Sequence, residues 1–169
     1  MTDDTRLPDA REAARRLPPA SLVIVRANDP KQRAERARAL AAIARRRGLL
    51  LLIADDASLA RRLGAHGVHL PESQARHAAH LRAQNPNWLI TASAHSLRAA
   101  LLATYADAIF LSPVFATQSH RNAAALTPAR ARLMARQVKM PIFALGGITA
   151  QNAILLSGFS GLAAIGALA

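Results

Sequence analysis

The sequence contains no cysteine among its 169 residues, which excludes disulfides, thiolate metal sites and cysteine nucleophiles together. Aromatic residues make up only 4% of the chain, so side chains on which nucleic-acid bases could stack are scarce. No apolar run approaches the roughly 18 residues of a membrane-spanning helix. The N-terminal segment is acidic and then arginine-rich, without the apolar core of a secretory signal. We expect a cytoplasmic protein with no membrane association.

Lysine is also scarce, because the basic residues are 20 Arg and only Lys31 and Lys139. The net charge of +12 raises the question of nucleic-acid binding. Most arginines, however, follow the polar positions of alanine-rich helical patterns such as residues 31–48. We interpret them as solvated helix faces, and keep a basic nucleic-acid binder or scaffold only as the disfavoured alternative.

Hydrophobic residues make up 51% of the chain, and they recur as short apolar runs between amphipathic helical patterns. This alternation predicts βα units and a parallel sheet. The predicted strands are Leu22–Arg26, Leu49–Ala54, Gly67–Leu70, Trp88–Ala92, Ala108–Leu111, Ile142–Leu145 and Gly161–Ile165. No linker or shift in composition divides the chain, so residues 1–169 are expected to form a single domain.

Seven strands are one fewer than a closed (β/α)₈ barrel contains. The pattern begins with a helix over residues 8–17, as though the preceding strand had been removed, and it stops on the seventh strand. Two architectures fit: a doubly wound open sheet, or a TIM-type (β/α) barrel that lacks its first strand and its last helix. An unpaired sheet edge in the barrel could pair with a second subunit to form a homo-oligomer.

Polar residues and glycines follow the predicted strands, where parallel α/β folds place their chemistry. Gly146 and Gly147 follow the sixth strand, and Gly166 follows the seventh. Glycines after the last two strands are typical of a barrel phosphate site, in which a helix N-terminus presents amides to the anion. A tight turn without a ligand is the alternative explanation for the Gly146–Gly147 pair, but the barrel context favours phosphate binding.

The chain resembles the thiamine phosphate synthase and thiazole tautomerase (TenI-like) superfamily of barrels. The matching pieces are "LIADD", "LGAHGVHLPE", "ITASAHS", "ADAIFLSPVFATQSH", "PIFALGGITAQNA" and "GLAAIGAL", in the order and spacing of that family. Of these, "SPVFATQS" together with "ALGGIT" is the specific combination. Family members begin with a strand ahead of the first helix. Since "MTDD" falls where that strand should end, we hypothesise a late start-site assignment or a natural loss.

The resemblance implies a transferase that joins a hydroxymethylpyrimidine pyrophosphate to a thiazole phosphate, with loss of pyrophosphate. Mg²⁺ and cationic or amide donors would stabilise the charge on the leaving group. Carried over by position, the retained residues are Arg26, Asp55, Ser93 and Thr117. Asp55 is the one implied metal ligand, because Gln74 replaces the second carboxylate. Asp56 or Glu72 could take the place of this second carboxylate.

Other positions of the implied pyrophosphate shell have changed, with Ile24, Asn28 and Ala54 in place of Gln, Lys and Asn. The implied phosphate site is better preserved and consists of Thr117, Ser119, Gly146, Gly147, Ile165 and Gly166. A small-molecule phosphate is therefore the expected ligand. The alternative to the synthase is an impaired or TenI-like paralogue that binds a thiazole phosphate without pyrophosphate chemistry.

Histidines bear on the choice between these two branches. Pro113 stands where the tautomerase branch has its acid–base histidine. His95 could transfer protons instead, and we group it with Arg26 and Ser93 as candidate catalytic residues, although a buried structural histidine is the favoured interpretation. His69 is expected to be a strand residue packed beneath the strand ends.

Overall fold

A computed structural model describes residues 1–2, 9–117 and 125–165 of the chain. Its strands are β1 (Leu22–Val25), β2 (Leu50–Ala54), β3 (Gly67–Leu70), β4 (Leu89–Ala94), β5 (Ala108–Leu111), β6 (Ile142–Ala144) and β7 (Gly161–Leu162). Its α-helices are α1 (Ala10–Arg16), α2 (Pro30–Arg47), α3 (Ala57–Leu63), α4 (Ala78–Gln84), α5 (Leu97–Leu102) and α6 (Pro128–Ala135). Two 3₁₀ helices span Glu72–His77 and Ala153–Leu156.

The seven strands form one parallel sheet whose spatial order is the order of the sequence, from β1 to β7. Sequential parallel neighbours joined by crossovers are the arrangement of a (β/α) barrel rather than of a doubly wound sheet, whose order reverses. The predicted α/β barrel architecture is therefore confirmed, and the doubly wound alternative is excluded.

The sheet curls around an interior of its own. Ile24 of β1, Leu52 of β2 and Phe110 of β5 belong to one buried cluster, although β1 and β5 are not neighbours in the sheet. The ring of Phe110 also stacks on Phe143 of β6, with 5.3 Å between the centroids. Alternate residues such as Val23 and Val25 point to the other face, where they pack in the larger core beneath the helices.

The two outer strands of the sheet, β1 and β7, are not paired with each other in the described part of the chain. Residues 1 and 2 lie between them at the carboxyl ends of the strands. The amide of Thr2 donates to Ile24 O at 2.9 Å, and the amino group of Met1 donates to Ala164 O at 3.2 Å. Below this link, beneath α1, lies an apolar cavity of about 680 Å³. The homo-oligomer that an unpaired edge suggests stays a prediction.

The local sequence determines where helix α2 begins and ends. Asp29 accepts a hydrogen bond from the amide of Gln32 at 2.9 Å, Pro30 occupies the first turn, and Gly48 ends the helix in the left-handed conformation. The inner face packs small and branched side chains onto the sheet: Ala37, Leu40, Ala41, Ile43 and Ala44. Four residues separate the end of β1 at Val25 from the start of the helix at Pro30, so its first turn lies beside the strand ends.

Most strands agree with the prediction to within two residues at each end, but two features differ. β7 covers only Gly161–Leu162, and the amide of Ala163 donates to Ala144 O of β6 at 2.8 Å. The helix expected after Gly146–Gly147 is instead a turn followed by a four-residue 3₁₀ segment. None of the helices in the described ranges is long and apolar enough to cross a membrane.

Candidate functional site

A polar cavity of about 500 Å³ opens at the carboxyl ends of the strands. The predicted site residues that line it are Arg26, Asp55, Ser93, His95, Thr117, Gly146, Gly147 and Ile165. They come from six strand ends, brought together because parallel strands finish at one edge of a curled sheet. Ser119 and Gly166 lie outside the described residues. The roles of the eight residues stay predictions, but their convergence on one cavity is observed.

The turn at Gly146–Gly147 exposes backbone amides on the cavity wall. Its carbonyls are engaged: Gly146 O accepts from the amide of Phe115 at 3.1 Å, and Gly147 O accepts from Asn152 Nδ2 at 2.8 Å. Within the described ranges, the amides of Gly147 and Ile148 have no acceptor. Successive open amides in a turn can bind an anion without a helix behind them. The turn therefore offers the donors that a phosphate needs, although the expected helix N-terminus is absent.

The glycines themselves are required by packing between two loops. Gly146 has φ +97° and Gly147 has φ +65°, conformations that favour glycine. A Cβ on Gly147 would lie 2.5 Å from Ala116 O and 2.8 Å from Phe115 Cβ. A side chain at Gly147 would therefore collide with the loop after β5. The absence of a side chain at Gly147 thus allows the turn to pack closely against that loop.

Arg26 follows β1, and its peptide is held from two sides. The Arg26 amide donates to Thr2 Oγ1 at 2.8 Å, and the Thr2 hydroxyl donates to Arg26 O at 2.9 Å. Arg36 Nη1 donates to the same carbonyl at 3.1 Å. These contacts fix the backbone from which the exposed Arg26 side chain lines the cavity.

Asp55 and Asp56 follow β2 but have different surroundings. Asp55 has φ +54°, donates its amide to His69 O at 3.0 Å, and places its exposed side chain on the cavity wall. Asp56 caps α3 by accepting from the amide of Leu59 at 2.8 Å. Asp56 is therefore a helix cap, and it does not line the cavity. Glu72, the other suggested substitute, does line it, and Glu72 Oε2 accepts from the amide of His95 at 2.6 Å.

The donor set does not make a metal site by itself. In the ranges that the structure describes, no three His, Cys, Asp or Glu side chains lie close enough together to hold a metal ion. Of the carboxylates, Asp55 and Glu72 line the cavity, and one Glu72 oxygen is engaged by His95. Mg²⁺ needs about six oxygen ligands, so most of them would have to come from substrate and water.

His69 is a buried imidazole that orients a cavity hydroxyl, and the prediction of a packed strand residue is confirmed. It is 3% exposed on β3, and its ring lies edge-on to Phe110. Nδ1 and Nε2 lie 2.8 Å from Thr91 Oγ1 and Ser93 Oγ. Burial, with smaller contributions from the charges of the N-terminal amine and Arg26, lowers the pKa of His69 to about 3. A neutral imidazole donates from one nitrogen and accepts at the other, so both hydroxyls stay oriented near neutral pH.

This lowered pKa predicts acid destabilisation. In the unfolded chain His69 takes up a proton near its ordinary pKa of 6.5, whereas the folded chain resists protonation until about 3. The unfolded state then binds more protons, so the His69 contribution is complete above about 6.5 and falls by about 1 kcal/mol for each pH unit below it. Between pH 6 and pH 4, urea unfolding should show about 2 kcal/mol more loss for the unaltered chain than for His69→Gln. Equal losses would show that His69 titrates normally.

His95 is exposed, so the favoured interpretation of a buried structural histidine is wrong. The residue follows β4, and the turn to α5 at Ser96 brings its ring to the surface of the cavity. His95 Nδ1 lies 2.7 Å from Ser112 O. A carbonyl oxygen can only accept, so Nδ1 carries the proton in the neutral ring and Nε2 is its unprotonated nitrogen.

The sequence analysis missed Arg33, which also lines the cavity. It had been grouped with the solvated residues of α2. Its position in the first turn of α2, directly after β1, was the available signal. The helix begins so close to the strand end that one face of its first turn looks onto the cavity.

The fold and the cavity define a (β/α) barrel-type protein with a polar cavity at the carboxyl ends of its strands. The sequence profile described as Thiamine monophosphate synthase matches residues 2–168. The chain belongs to this family, and the predicted resemblance is confirmed.

Similar proteins carry related names. A "Putative thiamine-phosphate synthase 2" of Aquifex aeolicus is 37% identical over 132 residues, covering 76% of this chain and 70% of that protein. A "Thiamine-phosphate synthase" of Bordetella bronchiseptica is 40% identical over 134 residues, covering 73% of this chain but only 61% of that protein. The matched region thus spans about two thirds of the length of these relatives.

Solved structures agree. The thiamine phosphate pyrophosphorylase of Pyrococcus furiosus has a TM-score of 0.77 and 26% identity, covering 97% of this chain and 82% of that chain. The N-(5'-phosphoribosyl)anthranilate isomerase of the same organism has a TM-score of 0.61 at 17% identity, covering 91% of this chain and 80% of that chain, which supports the fold alone.

Proposed function

We propose that the protein is a thiamine phosphate synthase, which joins a hydroxymethylpyrimidine pyrophosphate to a thiazole phosphate and releases pyrophosphate. The observation that carries this proposal is the single cavity that has cationic side chains on the β1 side and the open amides of the Gly146–Gly147 turn on the β6 side. The reaction needs two anionic groups near one reacting carbon. A cavity of about 500 Å³ has the size of a small-molecule site.

The leaving group makes the largest electrostatic demand. The bond between the pyrimidine methylene carbon and the pyrophosphate oxygen breaks, and its electron pair stays on that oxygen. Hydrogen bonds hold the backbone of Arg26, and its guanidinium would place a positive charge beside the pyrophosphate oxygens. A preoriented donor of this kind stabilises charge as it develops, without reorganising during the step.

The thiazole phosphate would be held at the opposite wall. The open amides of Gly147 and Ile148 would donate hydrogen bonds to its oxygens, with the Thr117 hydroxyl nearby in the same cavity. The thiazole nitrogen would then donate its lone pair to the pyrimidine carbocation, which forms the C–N bond. Ser93, oriented by His69, would place a hydroxyl beside the reacting groups. Holding both reactants in one geometry supplies much of the rate enhancement.

Mg²⁺ supplies charge neutralisation on a pyrophosphate when it is bound. Because the described side chains do not form a metal site, the ion would enter with the substrate, and Asp55 is the carboxylate that would contact it.

A second candidate function rests on His95. His95 lines the cavity with its Nδ1 held by Ser112 O, and an imidazole positioned in this way suits proton transfer to or from a bound thiazole phosphate, the chemistry of a tautomerase rather than of a synthase. The joining reaction itself transfers no proton between carbon atoms. A tautomerase would therefore need the His95 ring for catalysis, whereas a synthase would not.

An assay with both substrates and Mg²⁺ tests the proposal, and His95→Gln separates the candidates. A synthase releases pyrophosphate only when both substrates are present, and His95→Gln should leave that rate nearly unchanged. A tautomerase should lose about 100-fold in the rate of thiazole isomerisation with the same variant. If the unaltered chain binds the thiazole phosphate but releases no pyrophosphate with the complete mixture, the synthase proposal is wrong.

A further inference from the structure

Arg33 has an unusual environment for a residue on the first turn of a surface helix. It lines the cavity, and its Nη1 donates to Ala27 O at a distance of 3.3 Å, near the limit for a hydrogen bond. Its Nε is buried and has no hydrogen-bond partner among the described residues. No ion pair joins it to a carboxylate in the same part of the chain. The side chain is thus held at one end by a single long contact.

A buried donor without an acceptor is costly, and native structures rarely retain one without a reason. The cost is larger here because the donor belongs to a charged guanidinium. Arg26 presents a second guanidinium to the same cavity. An anion that binds at this wall of the cavity would supply an acceptor for the orphaned donor of Arg33.

We propose that Arg33 is a further residue of the diphosphate subsite on the β1 side of the cavity, where it binds the diphosphate beside Arg26. On binding, the Arg33 side chain turns so that Nε and one Nη face the diphosphate oxygens. A planar guanidinium matches two oxygens at once, which a single ammonium cannot do. The identity of the diphosphate as the leaving group rests on the proposed function, but its binding does not.

Binding of inorganic pyrophosphate to the full chain, measured by calorimetry, tests the subsite. Arg33→Gln should weaken this binding about tenfold or more, since it removes a charge-assisted pair. Arg38→Gln is the matched control, because Arg38 lies on the same helix, is exposed and does not line the cavity. It makes the same change in net charge, and it should leave the affinity close to that of the unaltered chain. Equal effects of the two variants would overturn the proposal.

A spectroscopic measurement decides the matter even if Arg33→Gln fails to fold. The Nε–Hε resonance of Arg33, assigned by its disappearance in Arg33→Lys, should shift downfield when pyrophosphate is added. An arginine that only supports the Ala27 carbonyl would show no shift, and that result overturns the proposal. Absence of turnover together with a shifted resonance contradicts the synthase function alone. Turnover without any Arg33 response contradicts the subsite alone.

Discussion

Replacing Gly147 with alanine is expected to lower kcat/KM by about 100-fold or more. The new Cβ would meet the Ala116 carbonyl at 2.5 Å, a backbone atom that cannot move aside without displacing the loop after β5. That loop carries Thr117, so the collision would separate its hydroxyl from the open amides that are proposed to bind the same phosphate. A displacement of about 1 Å at a binding site can cost about two orders of magnitude in rate.

Gly64→Ala is the control for backbone strain. Gly64 ends α3 with φ +60°, nearly the angle of Gly147, but an added Cβ there meets nothing within 4 Å. Both variants should lose about 1 kcal/mol from the left-handed conformation alone, measured by urea unfolding. Only Gly147→Ala should also lose activity and thiazole phosphate affinity. If the activities of the two variants agree, the phosphate is bound elsewhere.

The strands could be predicted because each is a short apolar run buried on both faces of the sheet. Gly67–Leu70 and Ala108–Leu111 match the prediction at both ends, since burial alone defines such segments. The C-terminal end of β7 could not be predicted in this way. The run "GLAAI" is apolar throughout, yet the ladder with β6 stops after Leu162, because β6 itself ends at Ala144. The length of a strand here is set by its neighbour.

The site was predictable in its location and less so in its details. Parallel strands bring their ends together, so residues that follow strands share one cavity whatever their roles. The different surroundings of Asp55 and Asp56 depend on backbone angles, such as the φ of +54° at Asp55. The sequence shows only two adjacent aspartates and does not reveal these angles. The position of Arg33 on the cavity wall depends on which face of the first turn of α2 looks toward the strand ends, which is set by tertiary packing. Charge and periodicity alone placed it among solvated residues.

Replacing Arg26 with glutamine is the second change with a large expected effect, a fall of about 100-fold in the rate of pyrophosphate release. The guanidinium is proposed to act on charge that appears as the bond breaks, so the loss should fall mainly on kcat rather than on KM. Because two groups hold the Arg26 peptide, glutamine should occupy the same backbone position, and the change should be confined to the head group.

Arg26→Lys refines this prediction, because lysine keeps the charge and loses the two-pronged geometry. It should give an intermediate rate if the guanidinium binds two oxygens, and nearly the full rate if only charge matters. Arg38→Gln again removes one positive charge from the protein, at an exposed position away from the cavity. A general effect of net charge would make Arg26→Gln and Arg38→Gln alike. The local role of Arg26 requires that only the first be slow, and rates measured with saturating substrates distinguish the two outcomes.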